Sequence, residues 1–542
     1  MGIKDYKMRI RIITGKAFAV LAFALCMIVP ANGQLLNEST FKLGRLFGLI
    51  DNFYVDTVDI NSVTEKAIVE LLRSLDPHSA YIPADEVAEM NEPLVGNFEG
   101  IGVQFNILND SILIISPVPG GPSEKVGIMP GDRIVTIDGE NVAGIGITTT
   151  GVRNRLMGQK GTTVKVGIFR KGASGISEYN ITRDKIPVNS LDAAYMLDRD
   201  NGYIKLNRFA ATTEKEFNDA IISLKRQGLK NIIIDLRGNT GGFMNPAISI
   251  ADAFFPADKM IVYLEGSKTP RQDFKSTGLS PLGNARVVVL TDEGSASASE
   301  ILAGAFQDWD RGVIAGRRTF GKGLVQNGFY LTDGSMVRLT IARYYTPSGR
   351  SIQSPYADGY DKYMESFLER YANGEMLTAD SIHFPDSLQA KTLTNRRIVY
   401  GGGGIMPDLF IPADTSGYSD YYRDLVRQGV VTQFTLGYAD SNRKRLQESY
   451  KSFDDFRDKF SFSSQDMDLF IRKGEEMGVK YDEKQFNISR GELTRIMKGL
   501  VARDLWDMNE YYMIVNEDDR VIVSALEVIS DPKRYNSILG YK

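Results

Sequence analysis

Apolar residues recur at three- and four-residue spacing in "STFKLGRLFGLIDNFY" (39–54) and "SVTEKAIVELLRSL" (62–75). That period predicts two amphipathic helices, the second ended by the turn residues of "DPHSAYIP". Between 97 and 184 the period shortens. "GVQFNI", "ILIISPV", "DRIVTIDG", "TVKVGIFR" and "EYNITR" are β-rich runs broken at "PGGP" and "MPGDR". One helical pattern, "ITTTGVRNRLMG", lies among them, and a small β-barrel with a flanking helix suits this length. From residue 200 the two periods alternate. "GYIKLNRF", "EKEFNDAIISLKRQG" and "NIIIDLRG" read as strand, helix and buried strand, a βαβ unit. "NPAISIADAFF" is a helix with proline in its first turn. "ARVVVLTD", "SASEILAGAFQDW" and "GVIAG" follow as strand, helix and strand, and "GFYLTDGSMVRLTIARYYTPSG" predicts a hairpin turning at Asp333–Gly334. Residues 354–396 are polar and mixed and read as an inserted excursion, "GGGGIMPDLFIP" returns to strand-like sequence, and 414–542 is charged amphipathic helix.

Composition adds two constraints. With 43% hydrophobic and 24% charged residues over 542 positions, the chain can build several real cores. Its start differs from the rest. "MGIKDYKMRIRIITGK" carries five Lys/Arg and one Asp, then "AFAVLAFALCMIV" (17–29) is an apolar run of 13, then "PANGQ" places Ala31 and Gly33 before a cut. A run that short does not comfortably span a bilayer, which takes ~20 residues. This is the pattern of a secretory leader, 1–33, with an uncleaved membrane anchor as the alternative. The expected protein is exported and periplasmic, or associated with the inner membrane if the leader is kept. The one cysteine, Cys26, lies in the leader, and Leu25 before it argues against a lipid anchor. Without the leader the net charge moves from −4 to −8, and no Lys/Arg block remains to suggest nucleic acid.

The chemistry centres on "TDEGSASASE" (291–300), between a strand and a helix. A serine-rich turn there is by default a helix start, since serine hydroxyls cap free N–H groups. A serine nucleophile would need a base. The chain has two histidines, His78 and His383, both in turn or loop sequence, so a lysine is the better candidate. "GRRTFGKGLVQ" (316–326) supplies Lys322 between two glycines, after the next strand. Successive strands of such a unit lie close, so both loops can open at one sheet edge. A lysine titrating at ~10.4 must lose about three units to serve near neutral pH, through desolvation or a neighbouring cation. Gly316 to Lys322 also reads as a phosphate-binding loop, but Gly323 stands where magnesium needs Ser or Thr. "DLRGNTGG" (235–242) is a third candidate, a glycine-rich turn whose N–H groups could face an oxyanion.

Taken together, "LDPHSAY", "DLRGNTGG", "GSASASE", "QDWDRG", "TFGKGLVQ", "YYTPSGRSIQ" and "GIMPD" resemble, in order, the C-terminal processing (tail-specific) peptidases over about 75–410. The resemblance implies a multidomain α+β chain: a leader, an N-terminal helical segment (34–94), a PDZ β-barrel domain (95–186), a crotonase-like α/β serine-peptidase core (187–413) and a C-terminal helical region (414–542). It implies a Ser-Lys endopeptidase with Ser297 as nucleophile, Lys322 as general base and Gln326 orienting the lysine. Ala298 and Gly241, with Gly242 close behind, would supply oxyanion donors, and Ser295 and Ser299 would be turn and cap residues. In the PDZ domain, Gly100, Ile101 and Gly102 match the carboxylate-binding loop, with Val103, Phe105, Val152 and Leu156 expected in the groove. Met157 stands where the family often has arginine. Partners would be proteins or peptides held by their C-termini, with no nucleotide, cofactor or metal. Self-association through the C-terminal region is a further expectation. The alternative is a non-catalytic PDZ scaffold on an inactive peptidase core.

Overall fold

Asn201–Leu206, Asn231–Asp235, Val287–Thr291 and Val313–Gly316 are each buried along their whole length. Strands so rich in Val and Ile, apolar on both faces, belong in a parallel sheet covered on both sides. A computed structural model, which describes residues 38–541, places them there. The leader 1–33 and its expected cut lie outside the described residues. The sheet runs Leu191–Met196, Asn201–Leu206, Asn231–Asp235, Val287–Thr291, Val313–Gly316, Leu409–Phe410; its first pair is antiparallel and the rest parallel. Only Leu409 and Phe410 of the strand-like 401–412 join it.

Alternate residues face opposite layers, as the period of two requires. Ile232, Ile234, Val287 and Val289 pack with Phe217, Phe254 and Phe306 from helices and the turn after Met244–Asp252. Ile233, Val288 and Leu290 pack with Val521, Ile522, Ala525 and Val528 of helix Arg520–Ser530 and with Tyr535. The end of the chain therefore forms the second cover of the central sheet. Asp420–Leu505 differs: its helices make cores of their own, and a boundary at 414 does not separate these two roles. Leu436 from this cluster sits among Leu108, Leu113 and Ile115, and Asp440 pairs with Arg133 at 3.0 Å.

A second sheet is built around Met336–Tyr345, which pairs with Ala80–Ile82, Leu324–Tyr330 and Met260–Glu265. The hairpin turns where Asp333–Gly334 predicts, with Gly334 at φ +88°. Met260–Glu265 and Gln272–Lys275 are strands that the periodicity did not announce. The region 103–182 forms a sheet in the order Val103–Ile107, Ile112–Pro117, Arg133–Ile137, Thr163–Phe169, Ile176–Thr182. Among the described residues no ladder joins its first strand to its last, so the sheet is open and a closed barrel is not seen. The excursion 354–396 contains the helix Tyr360–Ala372 and the strand Gln389–Lys391, which pairs with Ile398–Tyr400 just beyond it. Glu38–Phe53 is a helix that leaves Phe41, Leu46, Leu49 and Phe53 exposed. No helix among the described residues is long and apolar enough to cross a membrane.

The buried hydroxyl of Tyr535 joins the last helix to the strand that leads to the serine turn. It donates to Val287 O and accepts from Val287 N–H, both at 3.1 Å. Tyr535→Phe leaves that N–H unpaired and should cost about 1–3 kcal/mol. A denaturant melt monitored on the core transition would show this as a lower midpoint, and an unchanged midpoint would contradict it.

Candidate active site

Ser297 stands immediately before helix Ala298–Asp308 with φ 55° and ψ −113°, a conformation costly for a residue with a Cβ. Neighbouring bonds impose it. Ser295 Oγ donates to Leu236 O at 2.8 Å, Ser299 Oγ donates to Asn239 O at 2.9 Å, and Ala296 N–H reaches Asn239 O at 3.0 Å. The flanking serines thus fasten the turn to the "DLRGNTGG" loop, a larger part than turn and cap. Gly241, at φ +102°, lies directly beneath: a Cβ there would come within 2.8 Å of Ala296 O and of Ser297 Cβ.

The second loop arrives from Val313–Gly316, and Glu300 joins it to the first. One carboxylate oxygen accepts from Thr319 Oγ1–H at 2.5 Å and Gly321 N–H at 2.8 Å; the other accepts from Ser297 N–H at 2.8 Å and Lys322 N–H at 2.9 Å. The buried Tyr344 hydroxyl lies 3.0 Å from Ser297 O and 2.6 Å from Lys322 O. Both main-chain polar groups of each residue are therefore tied to the same two side chains. Burial pushes the Glu300 carboxyl up to about 7, against the donors that favour its anion.

Burial, then the charge of Arg338, holds the Lys322 ammonium below its ordinary range, while Asp76 and Glu300 pull the other way. Its Nζ donates to Gln326 Oε1 at 3.0 Å. The Gln326 amide is oriented in turn, because Nε2 donates to the main-chain oxygen of His78. Burial and the neighbouring Lys322 charge push His78 down to about 4, so its ring is neutral near pH 7. The turn that presents this oxygen is held by Asp76, which accepts from His78 N–H at 2.8 Å, Ser79 N–H at 2.9 Å and Thr340 Oγ1 at 3.1 Å.

Ser297, Lys322, Gln326, Ala298 and Gly241 all line one cleft of about 640 Å³. One expected role changes. Gly241 N–H is engaged by Asn239 Oδ1 at 2.9 Å. Gly242 also lines the cleft, and its N–H has no hydrogen bond among the described residues, so it replaces Gly241 as candidate donor. Ala298 N–H opens its helix, where N–H groups lack intrahelical acceptors. Glu300, Tyr344, Asp76 and the His78 carbonyl escaped the residue-by-residue reading. All four sit inside the motifs "GSASASE", "YYTPSGRSIQ" and "LDPHSAY", and that is the signal that points to them.

A separate groove of about 270 Å³ is lined by Gly100, Ile101, Gly102, Val103, Phe105 and Leu156 among others. Val152 does not reach it. It is fully buried in the core of the open sheet, one helical turn behind Leu156. Arg153 borders the groove and pairs with Glu92 at 3.0 Å.

Family comparisons agree with this division. Residues 200–358 match peptidase family S41, 100–175 match the PDZ domain, and 421–507 match a family of unknown function. The chain is 34% identical to the carboxy-terminal processing protease CtpA of Bacillus subtilis, over 67% of this chain and 78% of that protein. It is 37% identical to the carboxy-terminal-processing protease of Bartonella bacilliformis, over 60% and 75%. Among solved structures, a photosystem II D1 C-terminal processing protease shares 31% identity, covering 59% of this chain and 85% of that one with a TM-score of 0.34. The chain belongs to the carboxy-terminal processing serine proteases of family S41, with a PDZ domain ahead of its peptidase core.

Proposed function

We propose that peptide bonds are cut here by a Ser-Lys pair. Neutral Lys322 Nζ takes the proton from Ser297 Oγ as the oxygen attacks the carbonyl carbon, and later returns it to the leaving amine. Ala298 and Gly242 N–H groups receive the oxyanion, and Gln326 orients the base. The observation that carries this reading is the lysine held below its ordinary range in the serine's own cleft. In this structure its hydrogen bond goes to Gln326; the bond to the serine hydroxyl forms in the substrate complex, since catalytic hydrogen bonds of apo sites often tighten only there. A crotonase-like core is part of the same proposal.

Ser297→Ala and Lys322→Ala should each abolish cleavage of an unfolded protein, while Ser295→Ala and Ser299→Ala retain a measurable fraction. Lys322→Arg should be inactive, since a guanidinium keeps its proton. Because only the neutral amine acts, kcat/KM should rise with pH, with its acidic limb below the ordinary lysine range. Activity surviving Lys322→Ala would defeat the reading.

The PDZ groove is proposed to take the substrate's free C-terminus, with its loop N–H groups on the carboxylate. Helix Val87–Val95 supports coupling to the cleft. Its Glu92 holds Arg153 at the groove, its Met90 and Asn91 line the cleft, and Arg338 donates to Met90 O and to Asn91 Oδ1. A Cβ on Gly102 would sit 2.9 Å from Ile186 Cδ1 at φ +71°. Gly102→Val should therefore slow cleavage of tailed proteins far more than labelling of Ser297 by a small serine-reactive inhibitor. Amidating a peptide's C-terminus should slow its cleavage, and equal rates for amidated and free peptides would reduce the domain to a structural part.

Export is proposed from the leader alone. N-terminal sequencing of the exported protein should begin at Gln34, and recovery of residues 1–33 on membrane-bound protein would make it an anchored enzyme instead.

A further inference from the structure

The S41 match ends at 358 and the next match begins at 421, so the helix Tyr360–Ala372 belongs to neither. Yet it touches both arms of the Lys322 site. The buried guanidinium of Arg370 donates to three consecutive carbonyls just ahead of the lysine: Arg318 O at 2.9 Å, Thr319 O at 3.0 Å and Phe320 O at 3.4 Å. Phe367 packs on Phe320 with ring centroids 5.0 Å apart. One helical turn from Phe367, the Tyr363 hydroxyl lies 3.1 Å from His78 Nε2, and it is His78 whose carbonyl fixes Gln326.

We propose that this added helix positions the general base, with Arg370 and Tyr363 as its positioning residues. The inference rests on the Ser-Lys reading above. Lys322 lies between two glycines, in a loop whose carbonyls at 318–320 have no strand partner on this side. Such a segment is entropically costly to hold and needs donors for its carbonyls. A planar fork of five N–H groups can hold three carbonyls and a carboxylate at once, and the three N–H groups of a lysine ammonium can replace only part of that set. The charge is balanced by Glu375, which also takes two bonds from Arg318, at 2.7 and 2.6 Å. A buried Arg–Glu–Arg group contributes little stability by itself and can instead fix one geometry.

The helix also bears on how dry the lysine is. The charged and titratable groups around Lys322 are Asp76, His78, Glu300, Arg338, Tyr344 and Tyr363. Of these, His78 is held by Tyr363. Loosening His78 and Phe320 admits water, which returns the ammonium toward its ordinary range and moves the acidic limb of kcat/KM to higher pH.

The test uses the full exported chain with an unfolded protein substrate, comparing Tyr363→Phe, Arg370→Lys and Arg370→Gln with wild type. Ser297→Ala and Lys322→Ala serve as controls. Thermal melts report the folded fraction of each. Arg370→Gln should lower kcat by about 10- to 100-fold, the scale of a base displaced by about 1 Å, with KM nearly unchanged. Arg370→Lys should recover part of the loss, Tyr363→Phe should fall between wild type and Arg370→Gln, and all three should shift the acidic limb upward. If Arg370→Gln fails to fold, the other two variants decide. Variants that melt like wild type and keep its kcat and pH limb overturn the proposal. So does a loss that appears only in KM. Active Ser297→Ala or Lys322→Ala controls would instead overturn the parent reading, and this inference with it.

Discussion

One buried carboxylate governs the geometry of the cleft. Glu300 receives four hydrogen bonds, two on each oxygen, from Ser297, Thr319, Gly321 and Lys322. An isolated buried anion would be costly, and four converging donors offset part of that cost, burial still raising the carboxyl to about 7. The converse also holds, since those N–H groups would be unpaired without it. An amide in its place would turn hydrogens toward hydrogens, so shape alone does not suffice. Tyr344 completes the frame from the carbonyl side. Two loops from two different strands thereby become one rigid unit, and the strained backbone of Ser297 is held by neighbours that leave it little choice.

This dependence explains what could be read from the chain and what could not. The alternation of strands and helices from 200 to 316 was plain because the buried strands carry short apolar runs such as Ile232–Ile234 and Val287–Leu290 and each helix keeps its period. Ser297, Lys322 and Gln326 were legible from their motifs. The bonds that place them were not, because they join residues far apart: Gln326 to His78, Arg370 to Thr319, Tyr344 to Ser297. Gly241 and Gly242 are indistinguishable by spacing, and only the side chain of Asn239 separates them. Val152 has the right period for a groove and still points into the core. The strands at 260–265 and 272–275 form one side of an antiparallel sheet, the second at its edge; the first is a nearly unbroken apolar run and the second carries Gln, Asp and Lys, so neither alternates clearly. The polar excursion at 354–396 looked peripheral because Arg370, Glu375 and Tyr363 are polar residues used in the interior.

A buried charge in the central sheet is paired in the same way. Asp235 is buried between Arg237, Lys205 and the Tyr203 hydroxyl, and the two cations hold its carboxyl far below the usual range despite burial. Arg237 continues to Asp519, which also caps the N-terminus of helix Arg520–Ser530. The loop that carries Gly242, one of the two candidate oxyanion donors, is thus anchored to residues near 520.

That anchoring sets an order of events during synthesis. A chain is made from its N-terminus, so the strands of the central sheet emerge well before residues 520–538. Until those residues arrive, Ile233, Val288 and Leu290 have no cover on one side, and Arg237 lacks its second carboxylate partner. The nucleophile turn extends from one of these half-covered strands. A molecule in which residues 520–538 have yet to be made therefore already holds every residue of the cleft while one face of the sheet beneath it is bare. The layer that covers this face of the sheet is thus the last of the described core elements to be made.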